Sequence, residues 1–128
     1  MVIKYTFFIK TVLPNKPKIS FYEWWEGTRV IYEDTLASLS SGDTLFNYTG
    51  FEEYFNYMPR SYAMDYVARR VQKKIRTRII SPSSREALEL QKRGQQELRE
   101  MRIIPTERWG ATADVHIYKN KVGIVSFK

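Results

Sequence analysis

Hydrophobic residues recur along this chain at two different spacings. In some segments every second residue is hydrophobic, and in others hydrophobic residues recur about every four positions. The segment "KISFYE", residues 18–23, shows the shorter spacing, with Ile19 and Phe21 on one side and polar side chains on the other. That alternation is typical of a half-buried strand. Other short segments are rich in β-branched and aromatic residues, which favour strands. The predicted strands are 3–12, 18–23, 44–48, 76–81, 98–104, 113–118 and 122–127.

Three stretches between these strands show the spacing of amphipathic helices. Pro59 interrupts the longest one, so we expect a break near Met58, because proline cannot donate the helical hydrogen bond. Ser83 followed by Glu86 is typical of a capping box at a helix start. The predicted helices are 26–39, 51–75 with its break, and 83–92.

The order of elements predicts an α/β fold, in which a mixed sheet is flanked by helices. We expect the first strands to be parallel through right-handed crossovers. The last two strands form a C-terminal hairpin with Lys119-Asn120 as its turn, which pairs His116 with Gly123. No repeat or linker interrupts the pattern, so residues 1–128 are predicted to form a single domain.

Composition narrows the class of protein. The chain has 128 residues, 43% hydrophobic and 27% charged, and its longest apolar runs fall short of the roughly 18 residues of a membrane span. The first eleven residues lack the cleavage site of a signal peptide, and cysteine is absent, so we expect a cytoplasmic protein. The net charge of +7 favours polyanionic partners, although such a charge also serves solubility.

The segment "YEWWEG", residues 22–27, joins a predicted strand to a predicted helix. Ligands of open α/β sheets bind beyond the carboxyl ends of the strands, which makes this junction a candidate site. Gly27 allows close approach of the backbone, but the charges of Glu23 and Glu26 already satisfy the helix dipole and disfavour an anion. A neutral polyol fits better, because carboxylates accept hydrogen bonds from hydroxyl groups and a tryptophan ring stacks on the C–H face of a sugar. The alternative is that the tryptophans belong to the core and the glutamates to a solvated turn.

A basic cluster follows in the second half of the long helix and the next strand. It can hold the phosphates of a nucleic acid, or it can neutralise the helix dipole and face solvent. We expect Arg78 to point into the site or to pair with Glu97. The six cations within ten residues are Arg69, Arg70, Lys73, Lys74, Arg76 and Arg78.

His116 is the only histidine, and its strand predicts a polar face shared with Asp114, Tyr118, Lys121 and Gly123. A lone histidine on a strand is most often structural. Without a second histidine or any cysteine, a transition-metal site is not expected, and no motif indicates a cofactor.

Four segments together resemble a known family. "KISFYEWWEGTRVIYEDTL", "RRVQKKIRTRIISP", "ELREMRIIP" and "ADVHIYKNKVGIVSF" are similar, in that order, to the C-terminal effector domain of TrmB-like transcriptional regulators. The resemblance implies a phospholipase D-like half-domain, homodimerisation and a small-molecule ligand such as a sugar. In that family an N-terminal winged helix-turn-helix binds DNA. This sequence does not contain it, so we expect DNA contact only through such a domain or weakly through the basic cluster.

The sequence departs from the family and from active phospholipase D enzymes. The family commonly has glycine directly after the tyrosine-glutamate pair, whereas tryptophans intervene here before Gly27. Catalysis needs a histidine, a lysine two residues later and an aspartate five further on. Counting from His116 gives Tyr118 and Gly123 instead, and the register starting at Thr112 is also incomplete. We therefore expect a sensor without catalytic activity.

The ligand pocket implied by this resemblance combines residues from several elements. Two tyrosines form its walls, two glutamates accept hydroxyl groups, and an arginine orients one of those glutamates. The predicted pocket residues are Tyr22, Glu23, Gly27, Arg78, Glu97 and Tyr118.

Overall fold

A computed structural model describes residues 5–12 and 16–127 of the chain. Its architecture confirms the predicted α/β class, the mixed sheet and the C-terminal hairpin. Residues 3 and 4 of the first predicted strand lie outside the described residues. The strands are β1 (Tyr5–Val12), β2 (Lys16–Glu23), β3 (Thr44–Thr49), β4 (Arg76–Pro82), β5 (Arg99–Ile104), β6 (Ala113–Tyr118) and β7 (Lys121–Ser126), and the helices are α1 (Trp24–Ser38), α2 (Phe51–Tyr57), α3 (Arg60–Gln72) and α4 (Arg85–Lys92).

The seven strands form one sheet in the order β2-β1-β7-β6-β3-β4-β5. Strands β3, β4 and β5 are parallel, and every other neighbouring pair is antiparallel. The prediction that the first strands are parallel is correct for β3, β4 and β5, which helices connect, and wrong for β1 and β2. Only three residues separate β1 from β2, whereas a parallel crossover needs about a dozen or more.

Local signals set the helix boundaries. Met58 is extended and Pro59 precedes α3, so the predicted break is present. Helix α4 is capped by Ser84, whose hydroxyl oxygen accepts a hydrogen bond from the Ala87 N–H at 3.0 Å. The predicted cap, Ser83, lies one residue too early. None of the helices in the described ranges is long and apolar enough to cross a bilayer.

The four described helices pack on one face of the sheet. Along β3 the buried residues are Leu45, Asn47 and Thr49, whereas Phe46 and Tyr48 between them are exposed. The same alternation continues in β4, β5 and β6. The core therefore lies between the helices and this face, and the opposite face of the sheet is left open.

Helix α1 lies so close to the sheet that two positions have no room for a side chain. A Cβ atom added at Gly27 would lie 2.4 Å from the Cβ of Tyr22 in β2. A Cβ atom added at Gly123 would lie 2.7 Å from the Cγ2 of Ile31, a fully buried residue. Glycine at these positions permits the packing of α1 against both β2 and β7.

We predict that Gly123→Ala lowers the free energy of unfolding by about 1–3 kcal/mol, the usual cost of overpacking a core. Gly110→Ala is the matched control, because a Cβ atom there meets nothing within 4 Å. Both changes restrict the unfolded chain alike, so their difference isolates the contact with Ile31. Urea denaturation measures both variants. Equal stability of the two would contradict the packing described here.

Candidate functional site

A cluster of polar side chains is buried between the sheet and helices α1 and α3. Antiparallel pairing of β3 with β6 places Asn47 opposite His116 and Thr49 opposite Asp114, all on the helix-covered face. Helix α1 contributes Tyr32 from above. We call this set the polar cluster: Tyr32, Asn47, Thr49, Thr77, Asp114 and His116.

The carboxylate of Asp114 is the centre of the polar cluster. It accepts hydrogen bonds from the Tyr32 hydroxyl, from Thr49 Oγ1 at 2.5 Å and from His116 Nε2 at 2.8 Å. Burial raises the pKa of Asp114, but His116 and the hydroxyl donors outweigh it and hold the pKa below its ordinary value. Burial raises the pKa of Tyr32 well above its ordinary value, and the charge of Asp114 adds to this. The carboxylate is therefore ionised and fully engaged with protein donors.

His116 is held at both ring nitrogens. The side-chain amide of Asn47 donates to Nδ1 at 2.8 Å, and Nε2 donates to Asp114. Asn47 is oriented in turn, because its Oδ1 accepts a hydrogen bond from Thr77 at 2.8 Å. With 2% of its surface exposed and no ring nitrogen left over, His116 has neither the access nor the lone pair that a nucleophile needs.

A groove runs along the outside of the helix layer, between the α2–α3 pair and α4. Its volume is about 520 Å³, within the range of small-molecule sites. Its floor is mostly apolar, and cations lie along its margin. We call it the helix groove; it is lined by Phe51, Tyr54, Phe55, Arg60, Ala63, Met64, Val67, Ala68, Val71, Leu90, Arg93, Gln96, Glu97 and Arg99.

The helix groove continues inward to the polar cluster. A crevice of about 50 Å³ below it shares four lining residues with the groove and also touches Asn47 and His116. That volume has room for a few water molecules but not for a drug-sized ligand. A bound molecule would thus lie in the groove with one end toward the crevice. The shared residues are Phe51, Tyr54, Val67 and Arg99.

Two buried arginines give the inner end of the groove a positive charge. Arg70, 2% exposed, donates to the carbonyl oxygens of Ile75 at 2.8 Å and Glu97 at 2.6 Å. Arg99 donates to the Glu97 carboxylate at 2.6 Å. Burial and the nearby charge of Arg99 lower the pKa of Arg70 to about 10, so it remains protonated at neutral pH. Arg99 is thus paired with a carboxylate, whereas Arg70 donates to backbone carbonyl oxygens.

Glu97 is the acidic member of this group. Burial raises its pKa, but hydrogen bonds and charge from Arg99 and Arg93 outweigh burial, so the pKa lies below its ordinary value. Its carboxylate pairs with Arg93 at 2.9 Å and with Arg99 at 2.6 Å. The groove lining as a whole keeps an excess of positive charge, because it contains Arg60, Arg93 and Arg99 but only one acidic residue, Glu97.

The structure does not bring the six predicted pocket residues into one site. Strands β2 and β5 form opposite edges of the sheet, about 29 Å apart at the usual strand spacing. Tyr22 and Glu23 end β2, whereas Glu97 precedes β5. Only Glu97 lies in the helix groove.

The other predicted pocket residues make local structural contacts instead of lining a shared pocket. The predicted pairing of Arg78 with Glu97 is wrong: Arg78 lies on the open face of the sheet and pairs with Glu100 at 3.3 Å. Tyr118 is buried and donates to Asp34 of α1 at 2.7 Å. Gly27 is the contact point of α1 with β2, so its lack of a side chain serves packing.

The two tryptophans of the strand–helix junction, Trp24 and Trp25, do not form a ligand site together. Trp25 lies edge-on to Tyr62 at 4.8 Å between ring centroids and packs against the core. Trp24 is exposed and begins α1 with a positive φ of 62°. The core alternative considered for this segment therefore describes Trp25.

The basic cluster is dispersed by the fold. Arg69 makes two 2.8 Å hydrogen bonds to Glu33 and one to Asp65. Arg70 is buried, and Lys73 donates to the Leu36 carbonyl oxygen. Burial removes Arg70 from the surface, whereas Lys73 and Lys74 are exposed. The alternative that Arg69, Arg70, Lys73 and Lys74 together bind nucleic acid stays a prediction, and any phosphate contact would have to involve the other three.

The hairpin has the predicted polar face, which is shared by strands β6 and β7. His116 pairs with Gly123 and Tyr118 with Lys121, as the two-residue turn requires. Helix α1 covers this polar face, so Asp114 and His116 are buried. Among residues 5–12 and 16–127, no three acidic or histidine side chains converge as a metal site would require.

Sequence reasoning missed Arg99 as a site residue and assigned Arg70 to a surface. A signal for both was present. Arg70 follows Tyr66 by four residues on the apolar stripe of its helix, and Arg99 alternates with Met101 on one side of its strand. A charged residue at an apolar position of a periodic pattern indicates a buried cation with partners.

We predict that Asp114→Asn lowers the free energy of unfolding by about 3 kcal/mol, because the amide keeps one acceptor oxygen and turns an N–H group toward donors that the second oxygen had satisfied. The folded pKa of Asp114 is depressed, so its contribution is present above the unfolded pKa and is lost as pH falls through the folded value. Wild-type stability should therefore decline below about pH 4, and the variant should lack that part of the decline.

Asp65→Asn is the control for this change, since Asp65 makes an exposed ion pair with Arg69. Its loss should stay within about 0.5 kcal/mol. Chemical denaturation compares the free energies of unfolding of the two variants. It is measured from about pH 3 to about pH 7, a range that brackets the ordinary pKa of a carboxyl group. Equal losses for the two aspartates would contradict the assigned role of the polar cluster.

No protein-family model, no curated protein and no solved structure matches this chain.

Proposed function

We propose that this chain is a non-catalytic sensor domain whose helix groove binds a small molecule. The observation that carries the proposal is the groove of about 520 Å³ with an apolar floor and an excess of cations. The sequence resemblance to TrmB-like effector domains supports a sensing role and a phospholipase D-like half-domain. In this proposal the chain supplies sensing to a transcriptional regulator, and DNA binding belongs to a winged helix-turn-helix.

The ligand best suited to the groove is an amphipathic anion, with an apolar body and a carboxylate or phosphate group. Phe55, Met64 and Val67 offer the body an apolar surface. The charged group would meet Arg60, Arg93 and Arg99, against which the groove lining sets one carboxylate, that of Glu97. A sugar, the ligand implied by the resemblance, needs many polar partners, and this lining offers few.

The absence of catalysis in this proposal is supported by His116. Its two ring nitrogens are bonded to Asn47 and Asp114, and the residue is buried. A nucleophile must present a free lone pair to the substrate, and a general base must reach a proton on it. The polar cluster instead stabilises the wall beside which the ligand would lie.

We predict that decanoate binds the wild-type protein and raises its melting temperature, whereas decanol, maltose and trehalose bind at least tenfold more weakly. At a concentration 100 times the dissociation constant, binding adds about 2.7 kcal/mol to stability. Ala68→Trp should weaken decanoate binding at least tenfold, because Ala68 lines the groove and a tryptophan would fill it. Isothermal titration calorimetry and thermal shift give both quantities.

Ala37→Trp is the matched control, since Ala37 is also an exposed alanine on a helix but lies on α1, away from the groove. It should bind decanoate as the wild type does. Tighter binding of a sugar than of decanoate would overturn the ligand class. Equal decanoate affinity of the two tryptophan variants would overturn the site.

A further inference from the structure

The second face of the sheet is apolar on its central strands, and none of the described helices packs on it. Phe46, Tyr48 and Ile117 on this face are 44%, 40% and 38% exposed. Trp109 covers one edge of Tyr48, with ring centroids 5.8 Å apart. Parallel strands are almost always covered on both faces, and an apolar patch of this size marks an interaction surface.

The strand register orders this surface into two rows that run across the strands. We call the surface the open face. Each row crosses five neighbouring strands, β7, β6, β3, β4 and β5. In that order, the first row is Val122, Ile117, Phe46, Arg78 and Glu100, and the second row is Ile124, Val115, Tyr48, Ile80 and Arg102.

We propose that the open face is the interface of a symmetric homodimer, in which two sheets pack face to face. A two-fold axis that runs across the strands, midway between the rows, places the first row of one copy over the second row of the other. Phe46 then meets Tyr48 of the second copy, and Ile117 meets Val115. This arrangement is isologous, because every contact occurs twice.

Charge complementarity favours a second copy as the occupant. The acidic residue of the first row, Glu100, and the basic residue of the second, Arg102, lie two positions apart on β5. The same axis therefore brings each Glu100 to Arg102 of the other copy. Glu100 is available for this contact, because its side chain is 59% exposed even with Arg78 beside it.

The available area is sufficient for a stable dimer. The register continues both rows to β2, where Ile19 and Phe21 are 51% and 63% exposed, so the face spans all seven strands. Strands spaced about 4.8 Å apart, each about 20 Å long, then give a face of about 600 Å² on each copy. Two such faces reach about 1,200 Å², the lower bound for specific interfaces, before the relief of the side chains is added. Face-to-face packing of twisted sheets at about −30° is a common arrangement.

The test is sedimentation velocity and native mass spectrometry of the full chain. We expect a wild-type dimer at micromolar concentration. Tyr48→Glu should weaken dimerisation at least tenfold, because it buries charge at the centre of the open face. Leu88→Glu, an exposed position on α4, is the control and should stay dimeric.

Charge exchange tests the predicted axis. Glu100→Arg and Arg102→Glu should each weaken the homodimer at least tenfold, because each places like charges opposite each other. When the two variants are mixed, the heterodimer should form with near wild-type affinity, since every facing pair is again opposite in sign.

Three results would overturn the proposal. The first is a wild-type protein that stays monomeric at concentrations well above micromolar. The second is a dimer whose affinity Tyr48→Glu does not change. The third is a mixture of the two charge variants that forms no heterodimer. The inference goes beyond the proposed function and does not depend on it, since the helix groove lies on the other side of the sheet. Decanoate binding is therefore also measured for Tyr48→Glu. Because the substitution lies outside the groove, it should leave decanoate affinity unchanged, so the interface and the ligand site can fail independently.

Discussion

The hydrogen bonds to the buried carboxylate of Asp114 are the interaction on which the arrangement of helices depends. They join Tyr32 of α1 to Thr49 of β3 and His116 of β6, which are distant in sequence. An unpaired carboxylate at this depth would cost several kcal/mol, so all three elements are held in one geometry. The polar cluster therefore specifies where α1 lies on the sheet.

The position of α1 in turn fixes the wall of the helix groove. Tyr66 of α3 shares a hydrogen bond of 2.6 Å with Thr35 of α1 and lies edge-on to Tyr32. Helix α3 is thus held by the same helix that the polar cluster anchors. At its far end Arg70 bonds the backbone that leads into β4 and β5, so a structural cation also adds positive charge to the crevice below the groove. The residue that stabilises this end of α3 therefore also sets the charge of the crevice.

The order and type of the elements could be predicted because their signals are local. Alternation identified the strands, Pro59 identified the break before α3, and Lys119-Asn120 gave the hairpin register. The sheet order has no local signal, so the antiparallel pairing of β1 with β2 and the helix-free second face were not anticipated. The candidate pocket depended on that order, and therefore its six residues were scattered across the sheet. Arg70 shows the limit most clearly, because its charge suggested a surface while its helix position indicated burial.

The most direct test of this account is an amide chemical-shift titration of the ¹⁵N-labelled protein with decanoate. The account predicts saturable shifts in α3 and α4 around Ala63, Val67 and Leu90, which line the groove, with little change at the strand–helix junction near Tyr22 and Gly27. Shifts confined to that junction, or none in the groove at saturating ligand, would contradict it.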